Sequence, residues 1–211
     1  MKEHRLIKKG GKFMLSTTAF LALAMQCAPS VHPETALAVA RVESGFNPYA
    51  IGIIGVKKGL FPESKNQALT HVNQLKTQGK RYSLGLMQIT STNFKTYHVN
   101  DEQLFDPCIN LAIFEKILTD CYQRGGSLKR ALSCYYSGSF STGQKKEGEF
   151  NNTSYIERIG YKNDVGYKVP SIKEDKGKFT REFINKGNRP LSISSSVVVY
   201  PSHFVRGDVQ Q

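Results

Sequence analysis

The stretch PETALAVARVESG, residues 33–45, decides the fold because it has the pattern of a short amphipathic helix that ends beside a charged side chain. Pro33 suits the first helical position, and Gly45 can close the helix in the left-handed conformation. Three apolar side chains share one face at helical spacing, namely Ala36, Val39 and Ala40. Glu43 lies one turn further along that face, where loss of hydration raises the pKa of a carboxyl group. The pattern therefore predicts Glu43 as a general acid.

A surface role is the ordinary alternative for Glu43. Charged residues in the last turn of a helix usually extend into solvent, and this face is defined over only two turns. The periodicity alone leaves both roles open, and the motifs further along the chain decide between them.

Composition is compatible with one globular domain and with an anionic partner. The chain has 211 residues, of which 39% are hydrophobic, and a net charge of +12. An excess of positive charge attracts nucleic acid, anionic membranes and anionic cell-wall polymers alike. The sequence has no zinc-finger spacing, RNA-binding signature or helix-turn-helix pattern, so we do not expect specific nucleic-acid binding. The five histidines are dispersed without an H-E-x-x-H arrangement, and we expect no metal site and no cofactor.

The four cysteines allow two interpretations. They are Cys27, Cys108, Cys121 and Cys134, and no pair has the C-x-x-C spacing typical of zinc sites. Two disulfides, or one disulfide and two thiols, would fit an oxidising compartment such as a bacterial periplasm. Alternatively, all four are small core residues, which is a common role of cysteine.

The N-terminal segment also has two interpretations. Residues 1–14 are basic and an apolar stretch covers residues 13–28, which is the composition of a secretory signal with a cleavage site at residues 22–24. Alternatively, Ser16 begins a core helix that turns Phe20, Leu21 and Ala24 inward and ends at Pro29. The stretch is short for a membrane span, and we favour the core helix.

Caps and apolar stripes indicate further helices. Residues 63–77 form one candidate, and Asp106 with Pro107 begins a strong helix that ends at residues 125–126. Ser127 caps the next helix, which ends at Gly138, and a last short helix covers residues 155–159. The expected inward residues of the two long helices are Leu111, Phe114, Leu118, Cys121, Leu128, Ala131, Leu132 and Tyr135. The sequence thus predicts a compact, mainly α domain over residues 15–162, with a compact glycine-containing segment at residues 83–90.

Residues 163–211 have a different character. They are polar and rich in Lys, Gly and Ser, and the strand-forming run at residues 194–200 stands alone between Pro190 and Pro201. Since one strand is not stable by itself, we expect this tail to be disordered or to dock on a partner.

Four short motifs occur in order along the chain. They are Glu43-Ser44-Gly45, GLMQ at residues 85–88, CYYSG at residues 134–138 and Tyr155 at the start of the last helix. The combination resembles the lysozyme-like (SLT-type) lytic transglycosylases, most closely those associated with bacterial type IV secretion systems. The resemblance covers residues 27–159, and it implies a lysozyme-like α(+β) fold with a substrate groove.

The resemblance implies cleavage of the β-1,4 bond between N-acetylmuramic acid and N-acetylglucosamine in peptidoglycan, with formation of a 1,6-anhydro sugar. Glu43 would protonate the glycosidic oxygen and then take the proton of the muramic C6 hydroxyl, which attacks C1. One carboxyl would serve both steps, whereas ordinary glycosidases usually need two. Other acidic residues have the pattern of surface or capping groups, namely Glu63, Asp101, Glu102 and Asp106.

The resemblance also implies substrate-binding residues in the first two motifs. Ser44 would hydrogen-bond the sugar or orient Glu43, and plain helix termination is its ordinary alternative. Gln88 would project into the groove and bind an N-acetyl or hydroxyl group, while Gly85 would permit a close backbone approach. Met87 belongs to the same candidate set, with a core position as its alternative.

Two tyrosines would form part of the groove wall. These are Tyr135 and Tyr155, and Tyr155 would hydrogen-bond Glu43. A tyrosine on an apolar helix face is more often a core residue, so both assignments depend on the resemblance.

The chain departs from the family pattern at two positions. Tyr136 stands where the family usually has Asn, which bears on substrate contacts near the groove but leaves the acid in place. Cys134 stands where a small residue is common, and it would pair with another cysteine. Cys27 with Cys108 is one bridge that fits, and the connectivity stays open.

The expected function is local opening of the cell wall for a secretion or conjugation apparatus. The expected partners are peptidoglycan strands and subunits of the secretion system, the latter through residues 163–211, and we expect a monomer in the periplasm or cell envelope of a Gram-negative bacterium. A lysozyme-type muramidase that uses water, and a non-catalytic peptidoglycan-binding scaffold, are the alternatives.

Overall fold

The computed structural model describes residues 6–9 and 12–160, and it is mainly helical with two small sheets. The helices are α1 (Thr17–Cys27), α2 (Pro33–Glu43), α3 (Lys65–Thr77), α4 (Phe94–Tyr97), α5 (Asp101–Leu104), α6 (Pro107–Gly125), α7 (Leu128–Ser137) and α8 (Tyr155–Arg158). The strands are β1 (Leu6–Lys9), β2 (Lys12–Leu15), β3 (Ile51–Ile53), β4 (Tyr82–Leu84) and β5 (Ile89–Thr90). The expectation of a mainly α fold with a small β component is confirmed. The predicted tail lies outside the described residues.

The first apolar stretch forms a core helix. Ser16 caps α1 by accepting a hydrogen bond from the backbone nitrogen of Ala19 at 3.1 Å. The buried face consists of Phe20, Leu23, Ala24 and Cys27. Leu21, which was predicted to face inward, is only partly buried, because the helix turns Leu23 to the core instead. In the part of the chain that the structure describes, no helix has the length and apolar character needed to cross a membrane.

Helix α2 carries Glu43 on its buried face, as the pattern predicts. The three apolar residues predicted to face inward are fully buried, namely Ala36, Val39 and Ala40. Glu43 is the last helical residue and is 7% exposed. Gly45 follows with a φ of +58°, a conformation that glycine adopts without steric cost.

Helices α6 and α7 form the centre of the core. Asp106 caps α6 by accepting from the backbone nitrogen of Ile109 at 2.9 Å, and Ser127 caps α7. The predicted inward residues of both helices are all buried. Gly126 and Gly138 end the two helices in the left-handed conformation, so the predicted bounds are confirmed within a residue.

Two disulfides link helices α1, α6 and α7. Cys27–Cys108 connects the end of α1 to the first turn of α6, and Cys121–Cys134 connects α6 to α7. The two-disulfide interpretation is confirmed, and the bridge between Cys27 and Cys108 is the one that the sequence analysis singles out. The alternative of four reduced core cysteines is wrong.

A three-stranded antiparallel sheet runs in the order β3-β4-β5, with Ile51 opposite Leu84 and Ser83 opposite Thr90. Residues 83–90 were predicted only as a compact glycine-containing segment, and strands of two or three residues are too short to show alternation in the sequence. The fully buried Asn110 of α6 fixes this segment. Its Nδ2 donates to the backbone oxygen of Leu84 at 2.9 Å, and its Oδ1 accepts from the backbone nitrogen of Met87 at 2.8 Å.

The other sheet is an N-terminal hairpin of β1 and β2, in which Leu6 pairs with Leu15. Leu15 is buried, and its backbone nitrogen donates to the oxygen of Phe46 at 2.9 Å. This hairpin was not predicted. It brings the start of the described chain against the turn that follows α2.

Asp101 differs from its prediction as a surface or capping group. It is 7% exposed, its Oδ1 accepts from the hydroxyl of Tyr82 at 2.5 Å, and its carboxylate pairs with Lys76. Asn100 caps α5 in its place. The reason is tertiary, since the hydroxyl comes from β4 and the cation from α3. The other three acidic residues of that group are exposed, as predicted: Glu63, Glu102 and Asp106.

Candidate active site

The carboxyl group of Glu43 meets Tyr155 at the junction of α2 and α8. Oε1 of Glu43 accepts a hydrogen bond from the Tyr155 hydroxyl at 2.6 Å, and the two residues are 7% and 1% exposed. The hydrogen bond that the sequence analysis expects is present. It joins residues 112 positions apart in the chain, so the fold itself creates this contact.

Tyr155 is fixed by the cap of its helix. Ser154 precedes it, and the Ser154 hydroxyl accepts from the backbone nitrogen of Glu157 at 3.2 Å. The Glu157 carboxylate in return accepts from the backbone nitrogen of Ser154 at 2.7 Å and from its hydroxyl at 3.0 Å, and these two hydrogen bonds lower the pKa of the Glu157 carboxyl. This reciprocal capping box holds the first turn of α8 and with it the backbone of Tyr155.

Tyr136, the position where the chain departs from the family pattern, stacks on Tyr155. The ring centroids lie 4.2 Å apart and the rings are 14° from parallel. The Tyr136 hydroxyl donates to Oε2 of Glu147 at 3.2 Å. Burial raises the pKa of Tyr136, and the negative charge of Glu147 raises it further, so the phenol stays protonated at any physiological pH.

Two charged residues that were not predicted, Glu147 and Arg158, lie beside this pair of tyrosines. Arg158 donates to Oε2 of Glu147 at 3.0 Å, and its side chain is only 5% exposed. Neither residue belongs to a motif. Glu147 directly follows Lys145 and Lys146 in a stretch with the composition of a solvated loop, and Arg158 is the last residue of α8. Arg158 is buried and Glu147 partly buried, and their ion pair exists only in the folded chain.

The GLMQ motif forms the turn between β4 and β5. Gln88 has a φ of +52°, which is rare for a residue with a side chain. Its Nε2 donates to the backbone oxygens of Ala50 and Gly85 at 3.1 and 2.9 Å, so in this conformation the side chain holds the turn. A Cβ atom at Gly52 would lie 2.6 Å from Oε1 of Gln88, so Gly52 is required for this arrangement. Binding of substrate by Gln88 stays a prediction.

The remaining candidates of the first three motifs lie in the interior. Met87 is fully buried, as its core alternative predicts. The Tyr135 hydroxyl donates to the backbone oxygen of Met87, and its ring packs edge-on against Phe114 at 5.2 Å. The Ser44 hydroxyl donates to the oxygen of Ala40 at 3.2 Å and caps the end of α2. In this conformation these side chains are buried and contact other parts of the protein. Their contact with substrate stays a prediction.

Comparison with known proteins decides the family. Residues 20–157 match the family model described as the transglycosylase SLT domain. The chain belongs to the SLT transglycosylase family. No solved structure matches it significantly.

Two relatives illustrate the similarity. The chain is 41% identical over 168 residues to the type IV secretion system protein virB1 of Brucella suis biovar 1 (strain 1330), an alignment that covers 74% of this chain and 70% of that protein. It is 34% identical over 140 residues to protein virB1 of Agrobacterium fabrum (strain C58 / ATCC 33970), with 63% and 57% covered. As a member of the SLT family, the chain is a lytic transglycosylase that acts on peptidoglycan.

Gly85 of the transglycosylase gives a stability prediction. It has a φ of +78°, and a Cβ atom there would lie 2.5 Å from the backbone oxygen of Leu104. We expect Gly85→Ala to lower the free energy of unfolding by about 3 kcal/mol, because it combines a left-handed conformation with a backbone clash. Chemical denaturation measures this loss.

Gly126→Ala is the matched control. Gly126 has a φ of +72°, and a Cβ atom there would meet nothing within 4 Å. We expect a loss of only about 1 kcal/mol, from the backbone conformation alone. Equal losses in the two variants would show that Gly85 is required for its backbone conformation and not for close packing.

Proposed function

We propose that this transglycosylase cleaves the β-1,4 bond between N-acetylmuramic acid and N-acetylglucosamine and forms 1,6-anhydro-N-acetylmuramic acid, with Glu43 as both acid and base. The observation that carries the proposal is the hydrogen bond from Tyr155 to the buried Glu43 carboxyl. A buried carboxyl with one oxygen held in place is oriented for proton transfer by the other.

The proposed reaction has two proton transfers, one from Glu43 and one to it. In the acid form, the proton is on Oε2 of Glu43, because Oε1 accepts the hydrogen bond from Tyr155. Glu43 gives this proton to the glycosidic oxygen as the bond to C1 breaks. The resulting carboxylate takes the proton of the C6 hydroxyl, whose oxygen bonds to C1. The reaction uses no water and returns Glu43 to its protonated form.

The mass of the products separates this reaction from the muramidase alternative. Digestion of purified peptidoglycan should release muropeptides that are one water lighter than hydrolytic products and that have no reducible sugar end. Products whose sugar ends are reduced by borohydride would identify the hydrolase instead.

The variant Tyr155→Phe tests the role of Glu43 in proton transfer. The hydrogen bond that Tyr155 donates favours the ionised carboxylate, so in Tyr155→Phe the Glu43 carboxyl keeps its proton to higher pH. Since the first step needs the protonated form, the alkaline limb of the pH profile of kcat/KM should move to higher pH. We also expect kcat to fall roughly 10- to 100-fold, which corresponds to one hydrogen bond to a charged group.

Tyr82→Phe is the matched control for Tyr155→Phe, since the Tyr82 hydroxyl is also buried and bound to a carboxylate, that of Asp101. Burial, followed by the Asp101 hydrogen bond, raises the pKa of Tyr82, so this hydroxyl is protonated as well. The control should lose stability but keep kcat and the pH profile. An unchanged profile in Tyr155→Phe would contradict the role of its hydroxyl.

The remaining motif residues are proposed to bind the glycan. Ser44 and Gln88 would contact the sugars after a change of rotamer, since both side chains are engaged with backbone atoms in the described structure. Gly85, Met87 and Tyr135 would contribute to glycan binding indirectly, because they hold the turn that carries Gln88.

We propose that the cell-wall opening serves a type IV secretion apparatus in the envelope of a Gram-negative bacterium. The support is the similarity to the two virB1 proteins. In this proposal residues 15–162 are the catalytic domain, and residues 163–211 dock on a secretion subunit.

Complementation of a strain that lacks the gene tests this role. The wild-type chain should restore secretion, Glu43→Gln should not, and a chain that ends at residue 162 should digest peptidoglycan without restoring secretion. Full secretion with Glu43→Gln would support the scaffold alternative instead.

A further inference from the structure

Two carboxylates are hydrogen-bonded to the same pair of stacked tyrosines. Tyr155 donates to Oε1 of Glu43 at 2.6 Å, and Tyr136 donates to Oε2 of Glu147 at 3.2 Å. The two rings are in contact, with centroids 4.2 Å apart. The position of the Tyr155 ring therefore depends on Tyr136, and that of Tyr136 depends on Glu147.

Arg158 completes the group as a buried cation. Its Nη1 donates to Oε2 of Glu147 at 3.0 Å and to the backbone oxygen of Thr153 at 3.2 Å. Its guanidinium carbon lies 5.8 and 5.7 Å from the ring centroids of Tyr136 and Tyr155. A cation within about 6 Å of an aromatic ring is attracted to it, and a buried cation that loses its carboxylate is strongly destabilising. The ion pair therefore ties the Glu147 loop to both rings.

The same loop sets the place where α8 begins. Glu147 and Thr153 form an isolated antiparallel bridge, in which the backbone nitrogen of Glu147 donates to the oxygen of Thr153 at 3.2 Å. Ser154 caps α8 directly afterwards, and Tyr155 is its first residue. A displacement of Glu147 would therefore move the start of the helix that carries Tyr155.

We propose that Tyr136, Glu147 and Arg158 are positioning residues that hold the Tyr155 hydroxyl at Oε1 of Glu43. We call these three residues the brace. The inference rests on the proposed role of Glu43 as acid and base. The brace acts through Tyr155, and none of its members needs to touch the sugar.

A second catalytic carboxylate is the rival role for Glu147, as in glycosidases that use two. Two contacts favour the brace over that role. Both Tyr136 and Arg158 donate to the same oxygen of Glu147, and the side chain of Arg158 is almost fully buried against it. A carboxylate held in this way is a weak nucleophile, because its charge is already compensated within the protein.

Tyr136 keeps its hydroxyl proton over the pH range of an assay. The charged and titratable groups that face Tyr136 are Glu147, Arg158, Glu43 and Tyr155. Burial raises the pKa of Tyr136, the charges of Glu147 and Glu43 raise it further, and Arg158 offsets only part of this. Tyr136 therefore stays a donor.

A double-mutant cycle in the full chain tests the brace, with soluble, uncrosslinked peptidoglycan strands as substrate. We expect Glu147→Gln to lower kcat by about tenfold with KM unchanged, and to move the alkaline limb of the pH profile in the same direction as Tyr155→Phe. In the Tyr155→Phe background it should have less than about a twofold further effect, because the brace acts through that hydroxyl. Equal effects in both backgrounds would overturn the proposal.

Two further variants serve as a control and as an independent test of the brace. Glu149→Gln is the matched control, because Glu149 lies on the same loop in an exposed pair with Lys57 at 3.2 Å, and it should leave kcat and the pH profile unchanged. Tyr136→Phe removes one hydroxyl and keeps the ring stack, so it tests the brace even where Glu147→Gln folds poorly. A Tyr136→Phe variant with the wild-type kcat and pH profile would overturn the proposal.

A crystal structure of Glu147→Gln separates the brace from the assignment of Glu43. The brace predicts that the distance from the Tyr155 hydroxyl to Oε1 of Glu43 exceeds about 3.5 Å in the variant, which is no longer a hydrogen bond. An unchanged distance would overturn the brace and leave the role of Glu43 intact. Full activity of Glu43→Gln would overturn the proposed function instead, and the distance would still report whether Glu147 positions Tyr155.

Discussion

Replacement of Glu43 by Gln should lower the rate of peptidoglycan cleavage by about a thousandfold, which is within the range that a general acid and base contributes. The amide has the shape of the carboxyl group, and its oxygen can still accept the hydrogen bond from Tyr155. It has no proton to give to the glycosidic oxygen and no carboxylate to take one from the C6 hydroxyl. Both steps are therefore lost while the fold is kept, and initial rates of muropeptide release measure the effect.

Glu34→Gln is the matched control for this variant. Glu34 lies in the first turn of the same helix and is exposed, so its replacement should leave the rate unchanged. Both variants should keep the circular dichroism spectrum of the wild type. A Glu43→Gln variant within about threefold of the wild-type rate would show that another group supplies the proton.

Loss of the disulfide between Cys27 and Cys108 should have the largest effect on stability. The two residues are 81 positions apart, and opening a loop of that length raises the chain entropy of the unfolded state. In the chain-entropy account, we expect Cys27→Ala/Cys108→Ala to lower the free energy of unfolding by about 4.5 kcal/mol. Denaturation in urea without reducing agent measures the loss.

The second disulfide is the internal comparison. Cys121 and Cys134 are 13 positions apart, so the double alanine variant of this pair should lose less, about 3 kcal/mol. Under reducing conditions the wild type and both variants should converge. A larger loss for the short loop would contradict the entropic account and would indicate that the packing of α6 against α7 depends on that bridge.

Much of the helical fold could be predicted because the chain marks its helix ends locally. Pro33 with Gly45, and Asp106 with Gly126, bound their helices by capping chemistry that needs no tertiary contact. The start of α3 was predicted at residue 63 and lies at residue 65, because Ser64 accepts the capping hydrogen bond from the backbone nitrogen of Gln67. The short strands could not be predicted, since their pairing is tertiary.

The candidate site likewise contains residues that could be predicted from the sequence and residues that could not. Glu43 and Tyr155 could be predicted from helical periodicity and from the family motifs, and their hydrogen bond is present in the structure. Glu147 and Arg158 could not be predicted, because a charged residue in a lysine-containing loop, such as Glu147, or at the end of a short helix, such as Arg158, normally extends into solvent. Their pairing depends on contacts with the two tyrosines, which come from α7 and α8.

Digestion of purified peptidoglycan in water enriched in oxygen-18, followed by mass spectrometry, tests the central claim most directly. The wild-type chain should release anhydromuropeptides that lack one water and contain no oxygen-18, because the C6 hydroxyl supplies the oxygen that bonds to C1. The Glu43→Gln variant should release none. A parallel muramidase digest shows the signal that would contradict the account, which is oxygen-18 at a new reducing end that depends on Glu43.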